Sequence, residues 1–202
     1  MKITLPRQDL QMAVNKVKSV VASKTSLPIL SHILFETGEA SVKLTSTDLK
    51  ISIECTVDCT VERPGACTLF AQRLSLLLNE LPDGDITLDA GENNVVTVKC
   101  GRVETRLFSM ATDEFPPVRS FAGVEPMEIK QSLLKRVFQK TSFAICTDQS
   151  RYNLTGLLFE LKAGKLTVVA TDGRRMSMAV ADEDIAVEQD IRVIIPAKMV
   201  HE

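Results

Sequence analysis

The sequence predicts an α+β protein built by repeating one unit: a strand, a helix and a three-stranded meander. Three observations carry that prediction. Leu34-Phe35-Glu36 with the later Thr47-Asp48 returns as Leu158-Phe159-Glu160 with Thr171-Asp172, the second copy lying 124 residues behind the first. A period that long marks a duplicated domain rather than a short stacked repeat. Inside the first copy, Thr4-Leu5-Pro6-Arg7-Gln8-Asp9-Leu10 is echoed 64 residues on by Thr68-Leu69-Phe70-Ala71-Gln72-Arg73-Leu74, so the domain is itself two half-domains. Finally, apolar periodicity switches between strand and helix spacing in the same order in each copy.

Ile3 and Leu5 open the first strand, and Leu10, Ala13, Val14, Val17 and Val21 then recur at helical spacing over Gln8 to Val21, with Asp9 as the expected N-cap. After a loop from Ser23 to Pro28, Ile29 to Glu36, Ser41 to Ser46 and Leu49 to Val57 alternate as strands. Pro64-Gly65 breaks the chain. Cys67 to Phe70 leads into a helix over Ala71 to Glu80, and Asp85 to Asp89, Val95 to Cys100 and Glu104 to Met110 complete the second meander. The expected half-domains are about 1–63 and 64–121.

Three prolines and a glycine between Pro116 and Pro126 suit a linker. The second domain, 122–202, then opens with a strand at Met127 to Ile129, a helix over Ser132 to Ile145 and a meander from Leu154 to Ala181. Past the acidic loop Asp182-Glu183-Asp184, a strand at Ile191 to Ile195 and a helical start at Pro196 to Met199 begin its second half. That second domain is expected to be incomplete, with the chain continuing beyond Glu202.

Composition excludes several classes. Hydrophobic residues form 45% and charged residues 25% of the 202 positions, ordinary globular usage. No run of 18 apolar residues offers a membrane span. Five cysteines without a CxxC pair, and no leader sequence, predict a reducing, cytoplasmic setting. Cys55 and Cys59 would share a strand face, yet zinc needs two further ligands, so no metal is expected. There is no Walker pattern, GxGxxG, paired histidine or HExxH, which argues against an enzyme and against a cofactor.

A net charge of -2 rules out a uniformly basic coat protein, so distribution decides. Arg7, Lys16, Lys18, Arg73, Lys135, Arg136, Lys140 and Lys198 lie on or beside the helices, while acids gather in turns and strand ends. A basic helical surface on a near-neutral protein suits a polyanion held through its phosphates, without base reading.

Several separated motifs bear a family resemblance: Leu27-Pro28-Ile29-Leu30, Thr45-Ser46-Thr47-Asp48-Leu49, Asp113-Glu114-Phe115-Pro116, Arg151-Tyr152 with Leu154 and Gly156, and Val169-Ala170-Thr171-Asp172-Gly173-Arg174-Arg175. In this order they resemble the bacterial DNA polymerase III beta subunit family, the sliding clamps, from Met1 to Glu202. The resemblance implies the DNA clamp fold, with helices on an inner face and sheets outside. It implies a processivity subunit of the replicative polymerase that encircles double-stranded DNA as a head-to-tail homodimeric ring. Its clients, the polymerase catalytic subunit, the clamp loader and repair polymerases, would dock through short peptides.

By position, the resemblance puts Lys24, Gln149, Arg151 and Tyr152 in loops that meet DNA, beside Arg73, Lys135, Arg136 and Lys140 on the helices. It puts Leu154, Thr171, Gly173, Arg174, Arg175 and Met176 in a peptide pocket, with Arg174 where histidine is common. Arg106 and Leu107 would lie on the edge strand of the subunit joint. The alternative is a short clamp-like module that binds clients or DNA without encircling it.

Overall fold

The computed structural model describes residues 1–21, 25–91, 93–118, 127–181, 185 and 190–201, with only the backbone of Gln149 and His201. The chain divides into two compact units, Met1–Ser120 and Phe121–Glu202.

The first unit holds two antiparallel sheets and two helices. In chain order come β1 (Lys2–Pro6), α1 (Arg7–Lys18), β2 (His32–Thr37), β3 (Ser41–Thr47), β4 (Ser52–Asp58) and β5 (Thr60–Arg63). They are followed by β6 (Ala66–Phe70), α2 (Ala71–Glu80), β7 (Asp85–Ala90), β8 (Val95–Cys100) and β9 (Val103–Phe108). One sheet runs β4-β3-β2-β6 and the other β5-β1-β7-β8-β9. Each half therefore lends its opening strand to the other: β1 pairs with β7 of the second meander, and β6 with β2 of the first. Neither half is a closed body by itself. Local pattern cannot show this, because a strand's apolar face is the same whichever neighbour it pairs with.

The strand over Ser52–Asp58 starts later than its apolar pattern suggests, and β5 was not expected. The late start follows from the turn at Thr47-Asp48, where Asp48 N donates to Ile51 O and the Asp48 carboxylate accepts from Lys50 N and Ile51 N; β5 has a separate cause. Beyond Cys59 the extended chain leaves its β3 partner and joins β1 in the other sheet, Ile3 facing Val61.

Helix α1 buries Leu10, Ala13, Val14 and Val17, as the periodicity predicts, on the β3 and β4 side. The leucine and each valine taken fully from water contribute about 1.5–3 kcal/mol. The helix stops at Lys18, short of Val21. Hydroxyls of Ser19 and Ser46 donate to the carbonyls of Lys16 and Val17, and the backbone tightens to three-residue spacing, Val20 N donating to Val17 O and Val21 N to Lys18 O. Asp9 is not the N-cap. Pro6 holds that place, and Asp9 sits in the first turn, where its charge suits the helix dipole. The segment expected as strand from Ile29 instead begins as a 3-10 turn over Pro28–Ser31, since Pro28 has no amide for a ladder.

In the second unit, α3 (Gln131–Thr141) packs on β11 (Lys165–Thr171) and β12 (Met176–Ala181) as α1 packs on β3 and β4. The sheet order is β12-β11-β10-β13, with β10 at Gly156–Lys162 and β13 at Ile191–Pro196; α4 (Ala197–His201) follows. Leu133, Val137 and Thr141 form the buried stripe of α3, with Leu134 and Phe138 half-covered. Its expected last turn is a separate 3-10 turn, Ser142–Ala144. Residues 127–130 form no strand. In the first unit β1 is held by β5 and β7, and no described strand here takes either part.

The Thr-Asp repeat is a turn built alike in both units. Thr47 Oγ1 accepts from Leu49 N at 3.0 Å and donates to Ile51 O at 2.9 Å; Thr171 Oγ1 accepts from Gly173 N at 3.1 Å and donates to Arg175 O at 2.8 Å. Asp48 Oδ1 accepts from Lys50 N and Ile51 N, as Asp172 Oδ1 accepts from Arg174 N and Arg175 N. The third position is left-handed in each, at φ 73 for Leu49 and φ 85 for Gly173. A side chain there costs about 1–2 kcal/mol, partly offset by roughly 0.5–1 kcal/mol of extra chain entropy that glycine loses on folding. Leu49→Gly is therefore expected to stabilise the first unit by about 0.5–1 kcal/mol, read as a higher denaturant midpoint at unchanged slope. A fall in midpoint would show that Leu49, 59% exposed, does more than bear strain.

Candidate DNA-facing helices and peptide groove

The cations separate into committed and outward-facing groups. Arg7 is committed, contrary to its expected place on a free basic surface. Its guanidinium donates to Gln11 Oε1 at 2.9 Å, to Leu78 O at 3.0 Å and to the Asp83 carboxylate, and its side chain is 12% exposed. Hydrogen bonds from Arg7 and then Gln8 hold Asp83 below the usual carboxylate range. With Gln11 donating to Asn79 at 2.7 Å and Lys18 to Ser75 at 2.8 Å, this network joins α1 to α2. Arg73 is exposed on α2, with Glu80 exposed on the same helix.

Helix α3 differs. Between Gln131 and Thr141 it carries Lys135, Arg136 and Lys140, all exposed, and no acidic residue. Helical spacing from the buried Leu133 and Val137 turns Lys135 and Arg136 away from the sheet, while Lys140, seven residues beyond Leu133, is exposed at the flank of the last turn. Lys24 lies outside the described residues. Gln149, Arg151 and Tyr152 lie in a 3-10 turn over Gln149–Leu154 that Asp148 caps, its Oδ1 accepting from Ser150 N at 3.0 Å and Ser150 Oγ at 2.7 Å. Those bonds hold the Asp148 carboxyl low. Tyr152 is 74% exposed, so its ring is not part of the core.

Leu154 and Thr171 come together at a groove of about 630 Å³ on the sheet face away from α3. Its floor is apolar: Leu158 of β10 lies opposite Val169 of β11 and Ile194 of β13. Gly156 closes one end, where β13 comes so near that a Cβ would stand 2.4 Å from the Ile195 carbonyl oxygen. The sequence reading passed over Leu158, Val169 and Ile194. A signal was available, since Leu157-Leu158-Phe159 and Val168-Val169-Ala170 are unbroken apolar runs, which put apolar groups on both faces of the sheet.

Gly173, Arg174, Arg175 and Met176 stand outside the groove's lining. Arg175 turns toward Phe143, donating Nη2 to its carbonyl at 2.8 Å and lying 5.6 Å from its ring centroid, and donates Nε to Asp172 Oδ2 at 3.1 Å. Arg151 reaches the same turn: its Nη1 is 3.0 Å from where a Cβ of Gly173 would stand. The loop assigned to DNA and the turn assigned to peptide are thus neighbours. Met176, at 68% exposed, begins a row with Met178 and Val180 on the outer face of β12.

Asp172 keeps that turn shut. Hydrogen bonds from Arg174 N, then Arg175 N, hold its carboxyl below the ordinary aspartate range. A folded value depressed in this way means the turn's contribution is full above the unfolded value and lost as pH falls through the folded one. The amide resonances of Arg174 and Arg175 are expected to titrate together at a midpoint below that of a free aspartate, and Asp172→Asn should abolish the step. A midpoint at or above the free value would contradict the geometry.

Paired helices backed by exchanged antiparallel sheets, one unit repeated along the chain, define a DNA-clamp type of protein. The model of the DNA polymerase III beta subunit N-terminal domain matches residues 1–119, and that of its central domain residues 128–202. The beta sliding clamp of Chlamydia muridarum is 34% identical over 204 residues, covering 100% of this chain and 55% of that protein. That of Pseudomonas aeruginosa is 34% identical over 98% of this chain and 54% of its own length. The crystal structure of the Bacillus subtilis sliding clamp superposes with a TM-score of 0.94 at 28% identity, over 100% of this chain and 55% of that one. The chain belongs to the DNA polymerase III beta subunit family. It spans about half the length of the curated relatives it matches.

Proposed function

We propose that the chain forms part of a DNA sliding clamp, the processivity subunit of a replicative polymerase. The observation that carries this reading is the acid-free α3 surface, where three cations face outward from a helix whose other side is buried. Mobile lysines and arginines suit phosphates, and bind them without sequence choice. A ring needs no tight grip, so weak contacts that keep duplex DNA centred are enough, and no catalytic chemistry or cofactor is called for.

In this reading the two units are clamp domains, 1–121 and 122–202. The groove at Leu154 and Thr171 takes short apolar peptides of the polymerase catalytic subunit, the clamp loader and repair polymerases, with the turn from Gly173 to Met176 at its rim. Lys24, Arg73, Gln149, Arg151 and Tyr152 add to the DNA surface. β9 is an edge strand, and edge strands must be paired or protected. Arg106 on it, with Leu76 of α2 61% exposed nearby, forms the joint to a second subunit, whereas Leu107, expected there, is 7% exposed and belongs to the core. The setting is the cytoplasm; no described helix is long and apolar enough to cross a membrane.

The test is topological. Loaded on closed circular DNA and washed in high salt, the whole protein should stay bound until the circle is cut, then run off. Equal loss from circle and line would replace the ring with the short interaction module.

A further inference from the structure

The groove of the second unit has a counterpart in the first, and there it is filled. At the repeat spacing Leu154, Leu158 and Val169 correspond to Leu30, Leu34 and Thr45. The ladders agree: Leu158 lies between Val169 and Ile194 as Leu34 lies between Thr45 and Thr68. Exposure does not agree. Leu30 is 4% and Thr68 0% exposed, whereas Leu154 is only half-buried and Ile194 is 48% exposed.

What covers the first unit's cleft is the chain itself. Met110, Phe115 and Val118 pack against Ile29, Leu30 and Leu34 in an apolar cluster separate from the main core. At the other end Thr68 N donates to Ser109 Oγ at 3.1 Å, and Thr68 Oγ1 exchanges bonds with the Met110 backbone, donating to its carbonyl at 3.0 Å and accepting from its amide at 2.9 Å. The segment from Ser109 to Val118 is thus seated as a bound peptide would be, with side chain–backbone hydrogen bonds to Thr68 of β6 at one end and a buried aromatic, Phe115, at the other. Two of the sequence motifs, Leu27 to Leu30 and Asp113 to Pro116, meet in this contact.

We propose that the first unit contains a second apolar-peptide site, held shut by the chain's own Ser109–Val118 strap. The ligand class rests on reading the second unit's groove as a peptide site; the closed cleft itself does not. Val169→Asp silences that groove, so it serves as the background for the test. The probe is a labelled synthetic peptide of residues 109–118, titrated into the full chain. Val169→Asp alone should bind none, and Phe115→Ala with Val169→Asp should bind one equivalent. A folded double variant that binds none overturns the proposal. Peptide that fails to bind the unaltered chain yet binds the double variant supports the closed site and counts only against the open groove.

Should loss of Phe115 unfold the unit, Thr68→Val provides the second readout. It keeps the shape and removes the hydroxyl that holds Met110. Hydrogen exchange across 109–118 is expected to rise about fivefold or more, with α1 and α2 unchanged. An unchanged rate would show that the strap is fixed by the core and is no ligand.

Discussion

Gly156→Ala is expected to destabilise the second unit by about 3 kcal/mol, because the overlap falls on backbone and overpacking of that kind costs 1–3 kcal/mol or more. A Cβ at this position would stand 2.4 Å from Ile195 O and 2.9 Å from Ile194 Cγ2. Relief requires β13 to move away from β10, and that movement carries Ile194 off the groove floor opposite Leu158. Stability and peptide binding should therefore fall together, the thermal midpoint of the unit dropping by roughly 15 °C. Gly38→Ala is the control. Its Cβ would overlap the Ser41 hydroxyl, at 2.7 Å, which a rotamer change removes, and would lie in ordinary contact with Ser41 O at 3.7 Å. If Gly156→Ala matched Gly38→Ala in midpoint, the close approach of β13 would be wrong.

The second large effect concerns α3. Changing Lys135, Arg136 and Lys140 to alanine should weaken binding to short duplex DNA about a hundredfold at 0.1 M salt and lower the slope of log K against log salt by as much as ~2.7, at ~0.9 per phosphate contact. All three side chains are exposed, so the fold should keep most of its stability. Lys99→Ala provides the comparison: Lys99 pairs with Glu104 at 3.1 Å on the sheet and should leave the slope unchanged. An unchanged slope in the triple variant would remove α3 from the DNA-facing surface.

The groove and the helical face differ in how far the sequence showed them. The charges of α3 were legible as three cations on a helix without acids, and helical spacing turns Lys135 and Arg136 from the buried Leu133 and Val137; the exposure of Lys140, seven residues beyond Leu133, was decided by the packing. Leu154 and Thr171 were legible as groove members through motif resemblance. Leu158, Val169 and Ile194 were not, since their meeting depends on which strand lies beside which. Arg7 was misjudged for the same reason. Its partners Leu78 and Asp83 are more than 70 residues away, and only the packing of α1 on α2 brings them near.

By itself the sequence determined the order of the main elements, apart from β5 and the stretch 127–129, the duplication at 124 residues and the Thr-Asp turn, all of which rest on local spacing and on hydrogen bonds within five residues. Tertiary structure alone decided the exchange of β1 and β6 between half-domains, the strap over Leu30 and Leu34, and the openness of the matching groove in the second unit. Those are choices among partners of equal local fitness. An apolar strand face records that it will be covered, and only the folded chain records by what.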